Sequence, residues 1–556
     1  MTDIAHGERE RFFRAAKLMA GLTVISRVLG MVRAMSIAWL GASRMTDAFQ
    51  MAFAVPNLFR RLFGEGALSG AFVPVLTETA EKGGFDKARR LFANTLGILA
   101  SFLTGLLAVI LIGLFVWSRL KPGQPDRQLL VTLVAIMLPY MVLVCLLALG
   151  SAALNCREHF AYPAFAPILL NVFMIAAVLC VAPLAKGNLP GQLMIIAVSV
   201  ILAGIVQLAG VLWWARRSGF TARPTLRPVQ PGVKTILRLM APMLLGLGFL
   251  QLTGFFDYLV GWTFAATKDS KTIWVLGHEL ARPLDSGVLV RLNVANTLYQ
   301  FPMGVLALSL GVAVFPLLSR YAARGDMPNL RDSLNRALRL AIMEGLATGV
   351  GLLVLAGPII TLIFEHGQFS RNDTREAGHI LRFYAAGLWA FCSYPIFMRA
   401  FYSLKEPAKP LKVSCVLAVV YMAAVLGLIW VPWVSAAAFS LAAASTFSLN
   451  VIILSLLLRK RLGRLGGRKL AVSIMRSALA AAVMGASVLA LRRQLGAAPN
   501  WLVVGTCVPA GGVVFVLVVW LLRGPELREL RGRPAERAEQ PGADNYNGGP
   551  VSGPEK

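Results

Sequence analysis

Apolar runs long enough to cross a bilayer recur along nearly the whole chain. They lie near 18–40, 46–76, 91–118, 128–153, 160–184, 190–215, 235–266, 288–318, 337–364, 378–402, 411–431, 434–458, 470–491 and 500–522. About 20 apolar residues cover the roughly 30 Å of hydrocarbon as a helix. Lipid offers no partner to backbone N–H and C=O groups, so each such run must satisfy its own, as a helix does. The pattern predicts an all-α integral membrane protein of about 14 transmembrane helices. Composition agrees: 57% of the 556 residues are hydrophobic, only 15% are charged, and the mean hydropathy is +0.67. These values lie outside the range of soluble domains.

The chain carries a net charge of +28. In a soluble protein that excess would suggest nucleic acid, but here it falls mostly in loops between apolar runs and no nucleic-acid-binding signature accompanies it. Nucleic-acid binding is therefore excluded, and the excess is read as topology. The N-terminal segment and every second loop after it hold most of the Lys and Arg, heaviest at 216–238 and 459–476. The positive-inside bias then predicts both termini in the cytoplasm. Six cysteines are scattered singly, with no CxxC or paired framework, and no disulfide is expected. The first apolar run is too long and too arginine-bearing for a signal peptide, so no cleavage is expected.

A weak internal repeat appears at an offset near 245 residues. Phe53-Ala-Val-Pro56 and Phe72-Val-Pro74 are echoed by Tyr299-Gln-Phe-Pro302 and Phe315-Pro316. Ala153–Pro163 is likewise echoed by Ala400–Pro410. Two pseudo-symmetric six-helix lobes plus two appended C-terminal helices follow, the usual build of alternating-access carriers. The expected divisions are a cytoplasmic segment 1–17, an N-lobe 18–217, a Pro-rich linker 218–234, a C-lobe 235–460, two further helices in 461–523, and a Pro/Gly-rich tail 524–556 expected to be disordered.

Charges inside the apolar runs mark candidate sites. Arg27 and Arg33 lie in the first run, and Arg60 and Arg61 near the end of the second. A mid-membrane arginine costs roughly 2.5–3.5 kcal/mol on insertion scales, so it should face water or an anion. Arg27, Arg33 and Arg60 are therefore assigned to a cationic cavity between helices; the alternative is snorkelling to the interface. Arg61 could instead pair with Glu65, one turn on. Asp47 could contact a ligand or satisfy a helix N-terminus. Asp257, an acid inside the seventh run, could take a proton or cation or pair with a neighbouring polar group. Glu344 near a basic helix end reads as structural. The five histidines show no metal spacing, and no nucleotide-binding, zinc-protease or hydrolase motif occurs, which speaks against an enzyme and an ATPase.

At these residues the chain resembles the MurJ/MviN family, lipid II flippases of the MOP exporter superfamily. The matching stretches are SRVLGMVR (26–33), TDAF (46–49), PNLFRRLFGEGALSGAFVP (56–74), YPAFAPILLN (162–171), QFPMGVLALSLG (300–311) and AFYSLKEPAKPLKV (400–413). The resemblance implies 14 helices, two lobes around a cationic cavity, and a polyprenyl-pyrophosphate-linked saccharide as substrate. It moves that lipid from the cytoplasmic to the outer leaflet of the inner membrane by alternating access. The implied site residues are Arg27, Arg33, Arg60 and Asp47 for substrate, with Asp257 for ion coupling. It implies no cofactor beyond a monovalent cation or the membrane potential as driving force, and no partner beyond the bilayer and the lipid-linked saccharide; a monomer is expected. The chain departs from the family pattern at Ala34, where an acid is usual, and in ANTLYQFP (295–302), which lacks the usual helix-8 arginine; Arg291, six residues upstream of Thr297, could substitute. Alternatives are an exporter of another lipid-linked oligosaccharide or amphiphile and, in a different class, an integral-membrane polyprenyl-pyrophosphate enzyme.

Overall fold

The computed structural model describes residues 2–120, 124–220, 223–267, 270–275, 277–304, 308–463, 467–496 and 498–526. Its first half runs α1 (Thr2–Ala38), α2 (Arg44–Phe59), α3 (Leu68–Gly83), α4 (Phe85–Leu120), α5 (Pro125–Met137), α6 (Tyr140–Cys156), α7 (Ala161–Ala176) and α8 (Leu189–Arg217). The second half runs α9 (Pro231–Phe264), α10 (Val288–Pro302), α11 (Leu308–Ala323), α12 (Met327–Phe364), α13 (Arg371–Ala386), α14 (Leu388–Ser403), α15 (Ala408–Leu428) and α16 (Ala438–Leu462). Helices α17 (Gly467–Leu495) and α18 (Asn500–Leu521) complete the chain. Among the described residues ten spans are long and apolar enough to cross a bilayer, or eleven when α13 and α14, bent by 47°, are one. The figure of about 14 is thus the sequence pattern's own: α2–α3 and α10–α11 are broken into short pieces, and α9 is not among the counted spans.

Those breaks carry the internal repeat into three dimensions. Pro56 lies inside α2, and the backbone then takes a π-helical turn over Arg60–Ala67 before α3. Pro302 closes α10 and is followed by a π-turn at Met303 and Gly304 before α11. Proline lacks the N–H and crowds the preceding turn, so the helix must change register or bend. The other break also recurs: α5 gives way to α6 beside Pro139, and α13 to α14 at Gly387. Both halves therefore break the second and the fourth of their six helices; in the first half the fifth, α7, also runs on into a π-turn over Ala177–Val181.

Each half packs its own apolar core. The first centres on Phe49, Phe72, Phe92 and Met141, the second on Leu298, Phe364, Phe391 and Phe439. A third, smaller core holds α17 and α18 against α12 through Met343, Leu355, Met484 and Phe515. The structure adds detail at three of the expected divisions. Residues 2–17 continue α1 without a break. The linker is not loose: Asn94 in α4 donates to the Thr225 carbonyl (3.0 Å) and accepts from the Gln230 N–H (2.9 Å), and Phe220 and Val233 join the first core. Of the tail, Glu526 is buried, accepting from Ser473 (2.6 Å) and facing Arg339 (3.5 Å); the remainder from 527 lies outside the described residues. A small hairpin, β1 (Thr272–Val275) with β2 (His278–Ala281), also interrupts the helices between α9 and α10. The β-branched and aromatic residues of TIWV favour it, and Gly277 turns at φ +85°.

Linker docking is testable at Gly97, where an added Cβ would sit 2.5 Å from the Thr225 carbonyl oxygen. Gly97→Ala should cost about 1–3 kcal/mol by overpacking, read as a lower thermal unfolding midpoint in detergent. An unchanged midpoint would show that the linker is free of α4.

Candidate substrate cavity and the seal beside it

The second half encloses a polar cavity of about 440 Å³ between α9, α10 and α13–α16. Asp257 of α9 lies on its wall, and Tyr421 of α15 donates a hydrogen bond to its Oδ1 at 2.6 Å. Tyr299 and Tyr384 stack across the wall with ring centroids 4.3 Å apart. Ser414 shares a hydrogen bond with Tyr394 (3.1 Å) and accepts from Asn450 Nδ2 (3.1 Å), while Asn450 Oδ1 has no partner. A buried polar atom left without a partner costs about 1–3 kcal/mol, so water or a ligand is expected there. No group of three His, Cys, Asp or Glu side chains able to hold a metal occurs among the described residues.

The arginines divide into two places. Arg61, which sequence reasoning set apart as a partner for Glu65, lines the cavity and lies against Gly254 of α9. Arg60 points elsewhere: its Nε donates to Asn57 Oδ1 (2.8 Å), and it lies in the electrostatic field of Arg33 and Tyr140. Adjacent residues of a helical turn leave it in different directions, about 100° apart in an α-helix and less in a π-turn, so the two guanidinium groups can reach different surroundings. Arg33 reaches the Met174 sulfur (4.0 Å) and lies over the Phe53 ring (5.5 Å), with its Nε buried and unpartnered. Arg27 packs its guanidinium against Gly304, at the π-turn after α10. Tyr258 joins the two places: it lines the cavity and feels the charges of Arg61, Asp257 and Arg33. Arg33 and Arg60 thus lie together next to the cavity rather than in its wall, while Arg27 lies against Gly304 and likewise does not line it. Arg291 does not substitute for a cavity arginine; it is buried, bonded to the Gly287 and Ser286 carbonyls, and 3.6 Å from Asp373.

Asp47 is fully buried and does not line the cavity. Its own helix is capped by Ser43 with Thr46. The Asp47 carboxylate instead accepts from the backbone N–H groups of Gly287 (2.7 Å), Leu289 (2.9 Å) and Val290 (3.3 Å), at the start of α10 in the other half. Helix N-termini present unpaired donors and a positive dipole end, so the carboxylate satisfies both. Gly287, at φ +86°, has no room for a Cβ beside Ala42. Around this contact Gln368 N–H donates to the Trp39 carbonyl (2.9 Å), and Arg44 stacks on Trp262 (3.5 Å) while donating to its carbonyl (2.7 Å). The two halves are sealed together at this end.

The sequence could not show that Asp47 caps a helix 240 residues away, nor that Tyr421 partners Asp257. The only available signal was the tyrosine content of the second half. Replacing Asp47 with Ala strands three buried N–H donors, at about 1–3 kcal/mol each, and should open the seal. In a Trp39→Cys/Gln368→Cys background, the engineered disulfide should form readily and then fall sharply on adding Asp47→Ala. Equal cross-linking would show that the seal does not depend on Asp47.

Comparison with known proteins supports one family. Residues 37–506 match the family model described as lipid II flippase MurJ. A probable lipid II flippase MurJ of Vibrio cholerae is 30% identical over 94% of this chain and 98% of its own length. A lipid II flippase MurJ of Burkholderia cenocepacia is 30% identical over 81% and 84%. Among solved structures, a lipid II flippase MurJ in an inward closed conformation aligns with TM-score 0.72 at 21% identity, covering 92% of this chain and 99% of that one. An inward-facing multidrug resistance MATE family transporter of the MOP superfamily aligns with TM-score 0.64 at 14% identity, over 81% and 98%.

Proposed function

This chain belongs to the lipid II flippase MurJ family, and from that premise we propose how its own residues move lipid II between leaflets of the inner membrane. It is a carrier rather than an enzyme. The observation that carries the mechanism is Arg33, buried with an unpartnered Nε beside Arg60 and next to a polar cavity. A pyrophosphate cannot enter roughly 30 Å of hydrocarbon bare. Guanidinium groups offer it charge-assisted, bidentate hydrogen bonds. Arg27, Arg33 and Arg60 would take the pyrophosphate, with Arg61 and the amide and phenol groups of the cavity available to the saccharide, while the polyprenyl tail stays in lipid.

The basic loops 216–238 and 459–476 lie at the opposite end of the chain's helices from the Asp47 seal. With those loops and both termini in the cytoplasm, the sealed end faces outward and this conformation loads from inside. Outward release then requires Asp47 to let go of α10 while the opposite end closes. With no ATP-binding motif in the sequence, the cycle needs either the membrane potential acting on charge or an ion at Asp257. The protein is read as acting as a monomer.

Two measurements in vesicles test this reading. Arg33→Ala should abolish movement of labelled lipid II at normal membrane abundance; normal flipping would refute the pyrophosphate assignment. Asp257→Asn should flip lipid II without the wild-type response to an imposed proton or monovalent-cation gradient; a wild-type response would place coupling elsewhere.

A further inference from the structure

A second basic recess lies outside the cavity, between the C-terminal end of α12 and the first three turns of α13. Its volume is about 490 Å³, and Arg371, Arg375 and Arg382 all line it. One carboxylate, Glu365, shares the wall, and its Oε2 is already taken by the hydroxyls of Thr361 (2.9 Å) and Thr374 (2.7 Å). Arg375 donates to Asn372 Oδ1 (3.0 Å) and lies 3.7 Å from Glu376. Arg371 and Arg382 have no hydrogen-bond or ion-pair partner among the described residues.

Depth makes this recess different from an ordinary charged surface. Gly357 lines it seven residues before the end of α12, which is about 10 Å along the helix axis. Helix α12 meets the length and hydropathy of a membrane span. Arg382 shares the recess with Gly357 and stands eleven residues into α13, about 16 Å from Arg371. The recess therefore descends from the helix ends toward hydrocarbon, where an exposed arginine is costly unless an anion or water meets it. Gly357 leaves the floor open: an added Cβ there would touch nothing within 4 Å. The neighbouring 365–370 turn touches Trp39, so the recess opens at the same end as the Asp47 seal.

We propose that this recess binds the phosphate of a lipid headgroup in the leaflet at the sealed end, through Arg371, Arg375 and Arg382. The bound lipid is either an anionic phospholipid of the bilayer or a polyprenyl pyrophosphate; both present the same chemistry to three guanidinium groups. This site is separate from the transport cavity and does not depend on the proposed cycle.

The test is lipid retention by purified full-length protein, read by native mass spectrometry. Two probes are offered separately in a background of phosphate-free glycolipid: phosphatidylglycerol, and undecaprenyl pyrophosphate. Wild type should retain at least one of them, and whichever loses retention when the recess is altered names the source. Arg371→Ala/Arg375→Ala/Arg382→Ala should weaken that retention on the order of tenfold or more. Gly357→Phe, which keeps every charge but fills the floor, should weaken it comparably at an unchanged thermal midpoint. Because Arg33 is assigned to the pyrophosphate in the cavity, the undecaprenyl pyrophosphate arm is run in an Arg33→Ala background, where the triple and Gly357→Phe changes should still weaken retention. Phosphatidylglycerol retention should be unaltered by Arg33→Ala alone. No retention by wild type, or equal retention by the triple and Gly357→Phe variants, would overturn the assignment and leave these arginines as solvated surface.

Discussion

The contact on which the two halves depend is a carboxylate of one accepting three backbone N–H groups of the other. Asp47 is fully buried, so its charge is compensated by the start of α10 and not by water. Small residues make the approach possible: Ala34 and Ala38 of α1 are counted in the second half's core, and Gly287 leaves no space between the backbones. A seal made largely of such bonds has a useful property. Its donors and acceptor can be taken over by water when the halves part, so opening exchanges hydrogen bonds instead of exposing a large apolar face. A seal made only of leucine and phenylalanine would resist that exchange.

Rigid-body movement also needs places to bend, and the repeat supplies them symmetrically. The π-turn after Pro56 and that after Pro302 stand at equivalent points of the two halves, and both adjoin arginines, Arg60 and Arg61 in one case and Arg27 in the other. A π-turn leaves the regular hydrogen-bond ladder and re-aims the residues that follow it. In the first half the irregularity that breaks the helix therefore also directs Arg61 into the cavity wall. By contrast, the long α4 and α12 run without a π-turn and serve as the struts against which the linker and α17 pack.

Much of this fold was legible in the sequence because lipid narrows the choices. Length, hydropathy and the 245-residue echo of proline motifs lead to a two-lobed helical carrier, and the arginines stand out because hydrocarbon penalises them. What stayed hidden depends on rotation and on distance along the chain. Arg60 and Arg61 are neighbours in sequence, and only the register of the π-turn decides that Arg61 faces the cavity. Asp47 read equally well as a ligand contact or a cap, and the helix it caps begins 240 residues later. The hairpin of β1 and β2 escaped notice because four-residue strands leave almost no periodic signal between hydrophobic runs.

The distribution of acids bears on the phosphate-binding role proposed for the cationic region. Each buried carboxylate near it is committed to something else: Asp47 to the N–H groups of α10, Asp257 to Tyr421, and Asp373 to Arg291 and the cap of α13. Arg33 is left with a thioether, an aromatic face and an unpartnered Nε. Had an acid at position 34 or elsewhere neutralised it, an arriving pyrophosphate would have to displace that acid and gain little. An arginine held without a carboxylate instead carries a desolvation cost that an arriving anion relieves without displacing an acid. The free energy of that relief favours the loaded state over the empty one, which a carrier requires if its substrate is to draw the lobes together.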